Sequence, residues 1–378
     1  MRNRTLLVML AVLVALSGVT ALILYLSSQK DAEVSMGSLL FEKLDVNKAT
    51  LIKVASADGS FTVTRKANGW QVDKGFDYPA DFDKVSRFLR GLTELKVGRS
   101  FDATPERIAR LTLASPADSA SKKDNRGALF IVMDDKGGEI VRLLVGRERS
   151  GKDQFEGMPQ GQFVLTGDGK KIYLVDRFFE MEEQKPADWM DKALVSVEAT
   201  EIKSITCRAA GQGISPVAVY ELARAEKGKE ITAVVFPAGK KTSRGSIERM
   251  TQFLGSLTCD DADRPDPGIL ATSIIDFVSF AGVTYRVSVL GATTEDGCPV
   301  RIQVLYSGAD KKVAAEAKKD NDRLSPWVFR VGKWRCDYLA RDAEALEEKP
   351  VAEPQGPPSG MEMGQMPPGF DPSMFGAP

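Results

Sequence analysis

Histidine is missing from all 378 residues of this chain. Its absence removes Ser-His-Asp and Cys-His catalysis, histidine-held zinc or haem, and histidine pH switching, each of which needs an imidazole. Net charge is almost as scarce, with 51 basic side chains against 52 acidic ones. No basic excess is available to neutralise a phosphate backbone, so no nucleic-acid partner is expected. Cysteine is limited to Cys207, Cys259, Cys298 and Cys336, with no Cys-x-x-Cys pair among them, and a structural zinc or redox motif finds little support. What remains open is carboxylate chemistry, an all-cysteine metal site, or no chemistry.

Long apolar runs are also rare; there is one. Met1-Arg2-Asn3-Arg4 leads into Leu6 to Leu26, 21 almost wholly apolar residues. A helix needs about 20 residues to cross the hydrocarbon core. The run exceeds the roughly 7–15 apolar residues of a cleavable signal and lacks a small-x-small site after it. Residues 1–30 therefore read as an uncleaved single-pass anchor in the inner (cytoplasmic) membrane. Arg2 and Arg4 keep the N-terminus in the cytoplasm and put the bulk of the chain outside, in a periplasmic or extracytoplasmic space. In such an oxidising space four cysteines suggest two disulfides with three possible connectivities, against four buried thiols as the other reading. If bridges form, Cys259 with Cys298 is the expected pair, because both sit at the ends of elements.

The body alternates with period two. Residues 48–54 and 60–66 read as strands, Asn68-Gly69 as a hairpin turn, and Trp70-Gln71-Val72 as the returning strand. Asp81 caps a helix whose Phe82, Val85, Phe88, Leu89 and Leu92 fall at helical spacing, and Pro105 opens a short second one. Hairpins follow at 128–134 with 139–145 and at 163–165 with 172–175. The order then recurs: a strand at 200–205, a hairpin around Lys227-Gly228, a helix placed over Phe253-Leu254-Gly255-Ser256-Leu257, and a hairpin around Ala281-Gly282. Phe329 to Trp334 reads as a last strand closing the second copy. The fold class expected is α+β: an N-terminal transmembrane helix, then two tandem β-rich units of antiparallel hairpins with one or two helices each. Their bounds are 31–190 and 191–345, the second a repeat of the first, with a tail from 346 to 378. Between 350 and 378 that tail holds eight prolines and five glycines, too little apolar surface to order itself.

The hairpin Val63-Thr64-Arg65-Lys66-Ala67-Asn68-Gly69-Trp70 is similar to one in the domain of unknown function 4340 family. Tyr78-Pro79-Ala80-Asp81 with its Phe-Leu-x-x-Leu helix, Leu143-Leu144-Val145-Gly146, Ile172-Tyr173-Leu174-Val175 and Asp188-Trp189-Met190-Asp191-Lys192 continue the resemblance in order. It covers roughly 40–340. Arg110-Leu111-Thr112-Leu113 departs from it, since such proteins usually show Tyr-Gly-Leu there. The resemblance implies a membrane-anchored extracytoplasmic protein, often found beside gliding-type auxiliary ABC transporter components. It implies no activity and supplies no catalytic residues.

Motifs that suggest chemistry are incomplete. Ala238-Gly239-Lys240-Lys241-Thr242-Ser243 resembles a phosphate loop but lacks the glycine at Val234 and the hydroxyl at Lys241, so a solvated turn is expected. Cys259 to Asp266 carries four carboxylates but lacks the central glycine and terminal glutamate of a calcium loop. Trp70, Trp189, Trp327 and Trp334 read as core residues. No catalytic, cofactor or metal residue is assigned, and no cofactor is expected. The expected function is that of a non-enzymatic, membrane-anchored accessory protein docking with an ABC-type transport or gliding/envelope assembly. The alternative is a carboxylate-dependent cell-envelope hydrolase or glycan-binding module.

Overall fold

In the computed structural model, residues 36–150, 159–179, 184–210 and 218–348 are described. The apolar run bounded by Leu6 and Leu26, and the tail beyond 348, lie outside them. Among the described residues no helix is long and apolar enough to cross a membrane. The chain divides into two compact units between Lys192 and Ala193. Both are mostly antiparallel sheet with a few helices, so the α+β reading of the body holds.

The first unit contains β1 (Leu51–Ser56), β2 (Gly59–Lys66), β3 (Gly69–Asp73) and β4 (Asp77–Pro79). There follow α1 (Phe82–Thr93), β5 (Val97–Asp102), α2 (Pro105–Arg110), β6 (Ala128–Met133), β7 (Glu139–Ser150), β8 (Pro159–Thr166) and β9 (Lys171–Val175). Its sheet runs in the order β4-β3-β2-β1-β6-β7-β8-β9-β5. Alternation sets the register: Ile52 and Val54 of β1 face Val63 and Phe61 of β2, all buried, while Lys53 points to solvent. The α1 helix lies against this core through Val85, Leu89 and Leu92. Asp81 caps it by accepting from the Lys84 amide at 2.9 Å. Phe88 reaches Phe130, Phe179 and Trp189 with ring centroids 5.0, 6.0 and 5.3 Å away.

The opposite face of this sheet is covered too. Leu144, Leu165 and Ile172 are cross-strand neighbours in a second apolar cluster, closed by Leu111 and Leu113 from the segment after α2. The main chain at Leu111 passes so close to β7 that a Cβ on Gly146 would sit 2.3 Å from the Leu111 carbonyl oxygen. Only glycine fits there.

The second unit contains β10 (Ala193–Val195), β11 (Ile202–Ala209), β12 (Ala218–Ala223), β13 (Thr232–Val235), α3 (Arg244–Thr251), β14 (Leu257–Thr258) and β15 (Asp261–Asp263). After them come β16 (Ser273–Ser279), β17 (Val283–Val289), β18 (Cys298–Tyr306), α4 (Lys311–Leu324), β19 (Val328–Val331) and α5 (Lys333–Cys336). Its large sheet runs β13-β12-β11-β16-β17-β18-β19-β15. Strand for strand this is the first sheet's order without a counterpart of β4. The α4 helix occupies the connection that is a tight turn between β8 and β9. The outer face also differs, because only residues 264–272 join β15 to β16, against 103–127 between β5 and β6. On that face Asp276 sits between Arg208 and Arg286.

Four expectations need correction. The disulfide joins Cys298 to Cys336, with Cα atoms 6.1 Å apart, and not Cys259 to Cys298. The reason is tertiary: β18 and β19 are paired with Cys298 opposite Val331, and α5 turns Cys336 back over that point. Cys259 and Cys207 are buried thiols. The second unit's helix covers 244–251, ahead of Phe253-Leu254, because the chain turns at Gly255 and Ser256, the latter at φ 47°. Phe329 does lie in the last strand of the second unit, but that strand ends at Val331, and Lys333 and Trp334 begin α5; in the sheet β15 pairs on its far side. Phe82 is 65% exposed and does not join the core stripe of α1.

Candidate functional site

A groove of about 670 Å³ lies in the first unit between α1, the β2–β3 hairpin and the 3-10 turn Val46–Lys48. Each wall follows from local sequence. Asn68-Gly69 makes the tight turn, with Gly69 at φ 107°, and sets Arg65 opposite Trp70 and Lys66 opposite Gly69. Phe82, Ser86, Leu89, Arg90 and Thr93 follow helical spacing and form the facing wall. Trp70 is half-buried at the base, and Phe82 stands exposed at the helix start. Lys66 is paired with Asp77. Arg65 and Arg90 are exposed and line the groove, and among the described residues no carboxylate is in its wall. It therefore presents apolar surface flanked by cationic groups, a chemistry suited to an acidic segment carrying an apolar side chain.

The second unit has an opening of about 290 Å³ in the corresponding place, between the 3-10 turn Ala199–Glu201, the β12–β13 hairpin and α3. Its charges are balanced internally. Arg244 Nε lies 2.9 Å from Glu248 and 3.3 Å from Glu230. Arg224 donates from Nη2 to the Ala199 carbonyl at 3.1 Å, and burial pushes its guanidinium pKa down from the ordinary value.

A further cavity of about 350 Å³ lies on another side of α1, walled by Phe88, Phe130, Phe179 and Trp189. Lys84 stands over the Trp189 ring at 5.6 Å.

The sequence candidates are scattered. Lys240 of the phosphate-like turn pairs with Glu347 at 2.7 Å. Asp261 and Asp263 of the acidic run alternate along β15 opposite Arg330 and Val328, so strand pairing spreads the run instead of folding it around one point. Among the described residues no group of three or more Cys, Asp or Glu is gathered closely enough to hold a metal. Trp189 is 2% exposed and Trp327 is buried, with Arg264 over the Trp327 ring at 4.4 Å. Trp334 is 61% exposed and meets Tyr338 edge-on, so it is not a core residue. Burial pushes the Cys207 thiol up to about 11, against a smaller lowering effect from Tyr220, which keeps it protonated and unreactive at neutral pH. Sequence reasoning missed the groove because helical spacing gives Phe82 to the core stripe; its position in the first turn, ahead of the packed residues, was the available signal.

The family model described as "Domain of unknown function (DUF4340)" matches residues 70–261, just over half of the chain. The chain belongs to that family. The match runs from β3 of the first unit to the start of β15 in the second, and so includes the Trp70 and α1 walls of the groove. No curated protein and no solved structure matches the chain.

Proposed function

We propose that this protein is a non-enzymatic, single-pass accessory protein, anchored in the inner membrane, whose extracytoplasmic units dock a transport or envelope assembly. The observation that carries the reading is the groove of the first unit, with Arg65 and Arg90 beside Trp70 and Phe82 and no carboxylate among the described residues of its wall. The occupant we infer is an acidic segment of a membrane or envelope protein that places an apolar side chain between Trp70 and Phe82. The 21-residue apolar run from Leu6 to Leu26 supports the anchored placement.

The test is photocrosslinking in intact membranes from a reactive residue at Ser86. Specific recovery of one transport or envelope protein is expected, with recovery lost in Arg65→Glu/Arg90→Glu. Recovery that is unspecific, or unchanged by the charge reversal, rejects the reading. Trp70 at the base of an open groove favours glycan binding as the second reading, which would show as retention of envelope glycan by the isolated chain.

A further inference from the structure

In the first unit the edge of β3 is covered by β4, which pairs antiparallel with it and buries Tyr78. In the second unit the corresponding strand is β13, and among the described residues nothing pairs with its outer edge. The edge is short and its pairing with β12 is bulged, but it lacks the other common guards. Thr232-Ala233-Val234-Val235 contains no charge and no proline, and Val234 and Val235 are 64% and 41% exposed. Natural edge strands usually carry such guards or a cover, because open N–H and C=O groups invite another strand.

Two observations point to the cover. The first is where the described chain ends. Thr242 bridges Glu347, the Ser243 amide donates to the Leu346 carbonyl at 2.7 Å, and the Glu348 amide donates to the Lys241 carbonyl at 2.9 Å. Residues 349–378 therefore depart beside Lys241, six residues after Val235, a span of at most about 20 Å of extended chain. The second is composition. β4 is entered through Gly75-Phe76-Asp77, and the same tripeptide recurs in the tail as Gly369-Phe370-Asp371. The stretch 350–378 carries Glu353, Glu362 and Asp371 with no lysine or arginine, whereas β13 is flanked by Lys229, Lys240 and Lys241, with Glu230 between them held by Arg244. The 20 residues between Glu348 and Gly369 reach the edge easily.

We infer that the chain's own tail, around Gly369-Phe370-Asp371, adds to the free edge of β13 as an extended strand, filling the place that β4 fills in the first unit. Main-chain hydrogen bonds give such an addition its affinity, and the flanking charges orient it. The apolar surface of Val234 and Val235 is covered by the same event.

Two measurements on the purified full-length chain, without any partner, test this separately from the docking groove. Amides of 232–235 should exchange about tenfold more slowly in the full chain than in one ending at Glu348. A disulfide should form within one molecule between Val234→Cys and Phe370→Cys, and about tenfold faster than between Val234→Cys and Ser359→Cys. Equal exchange in the two chains, or equal crosslinking at 359 and 370, overturns the inference. Crosslinking only between molecules also overturns it and assigns the edge to a second copy.

Discussion

Gln162 and Phe179 bond each other in both directions: the Phe179 amide donates to Gln162 Oε1 at 2.6 Å, and Gln162 Nε2 donates to the Phe179 carbonyl at 3.0 Å. The same Nε2 reaches the Gly146 carbonyl at 3.0 Å, and the side chain is fully buried. One glutamine thus holds the segment after β9 onto β7 and β8, where Phe179 joins the aromatic cluster around Phe88. Gln162→Leu strands a buried amide and two carbonyls, for which a loss of about 2–4 kcal/mol is expected. Urea unfolding followed by tryptophan fluorescence measures it; a loss below about 1 kcal/mol would show that the bonds hold nothing.

Thr112 sits at φ 58°, a conformation in which a β-branched side chain is strained. It follows Leu111, whose carbonyl crosses close to Gly146. Thr112→Gly should therefore raise stability by about 0.5–1 kcal/mol, with strain relief outweighing the added freedom of the unfolded chain. Thermal melting of the two proteins side by side decides the sign.

Asp276 accepts from Arg286 Nε at 2.8 Å and from Arg208 Nη1 at 2.6 Å. Burial pushes its carboxyl up, but the hydrogen bonds from Arg286 and Arg208 and their charges outweigh that and hold its pKa below the ordinary value. The folded pKa is depressed, so the stabilisation is present above the unfolded value near 4 and is lost as pH falls through the folded one. Asp276→Asn should lower stability at pH 7 by about 2–3 kcal/mol, less than a fully buried pair because both arginines are partly exposed. The difference between the two proteins should shrink at pH 3. A difference independent of pH would place the effect in packing.

The Cys298–Cys336 bridge closes a loop with a sequence separation of 38. Replacing both with alanine should cost about 3–4 kcal/mol by the loop-entropy relation. Mapping under non-reducing conditions should recover this bridge, with Cys207 and Cys259 alkylated only after unfolding. Recovery of a Cys259–Cys298 peptide would overturn the assignment.

Much of the fold is legible in one dimension because hairpins are local. Asn68-Gly69, Gly137-Gly138 and Gly167-Asp168-Gly169 stand between alternating runs, and the strands flank them as the period-two pattern demands. The β18 strand, with Pro299 at its second position, alternates through Val300, Ile302 and Val304, whereas α4 is hard to see, burying only Ala317 and Leu324. The walls of the candidate groove are legible as a hairpin and a helix; that Phe82 turns outward onto the groove is not.

By itself, then, the amino-acid order determined the apolar N-terminal run, the hairpin turns, the faces of the strands and the family. These depend on spacing and on residues a few positions apart. Only the tertiary structure decided that β15 returns beside β19, that Cys336 and not Cys259 meets Cys298, and that the first sheet carries an apolar cluster on its second face while Asp276 of the second sheet meets two arginines. Such outcomes depend on which distant segments share a surface. Chain connectivity and the length of the linking segments settle that, and no local period records it.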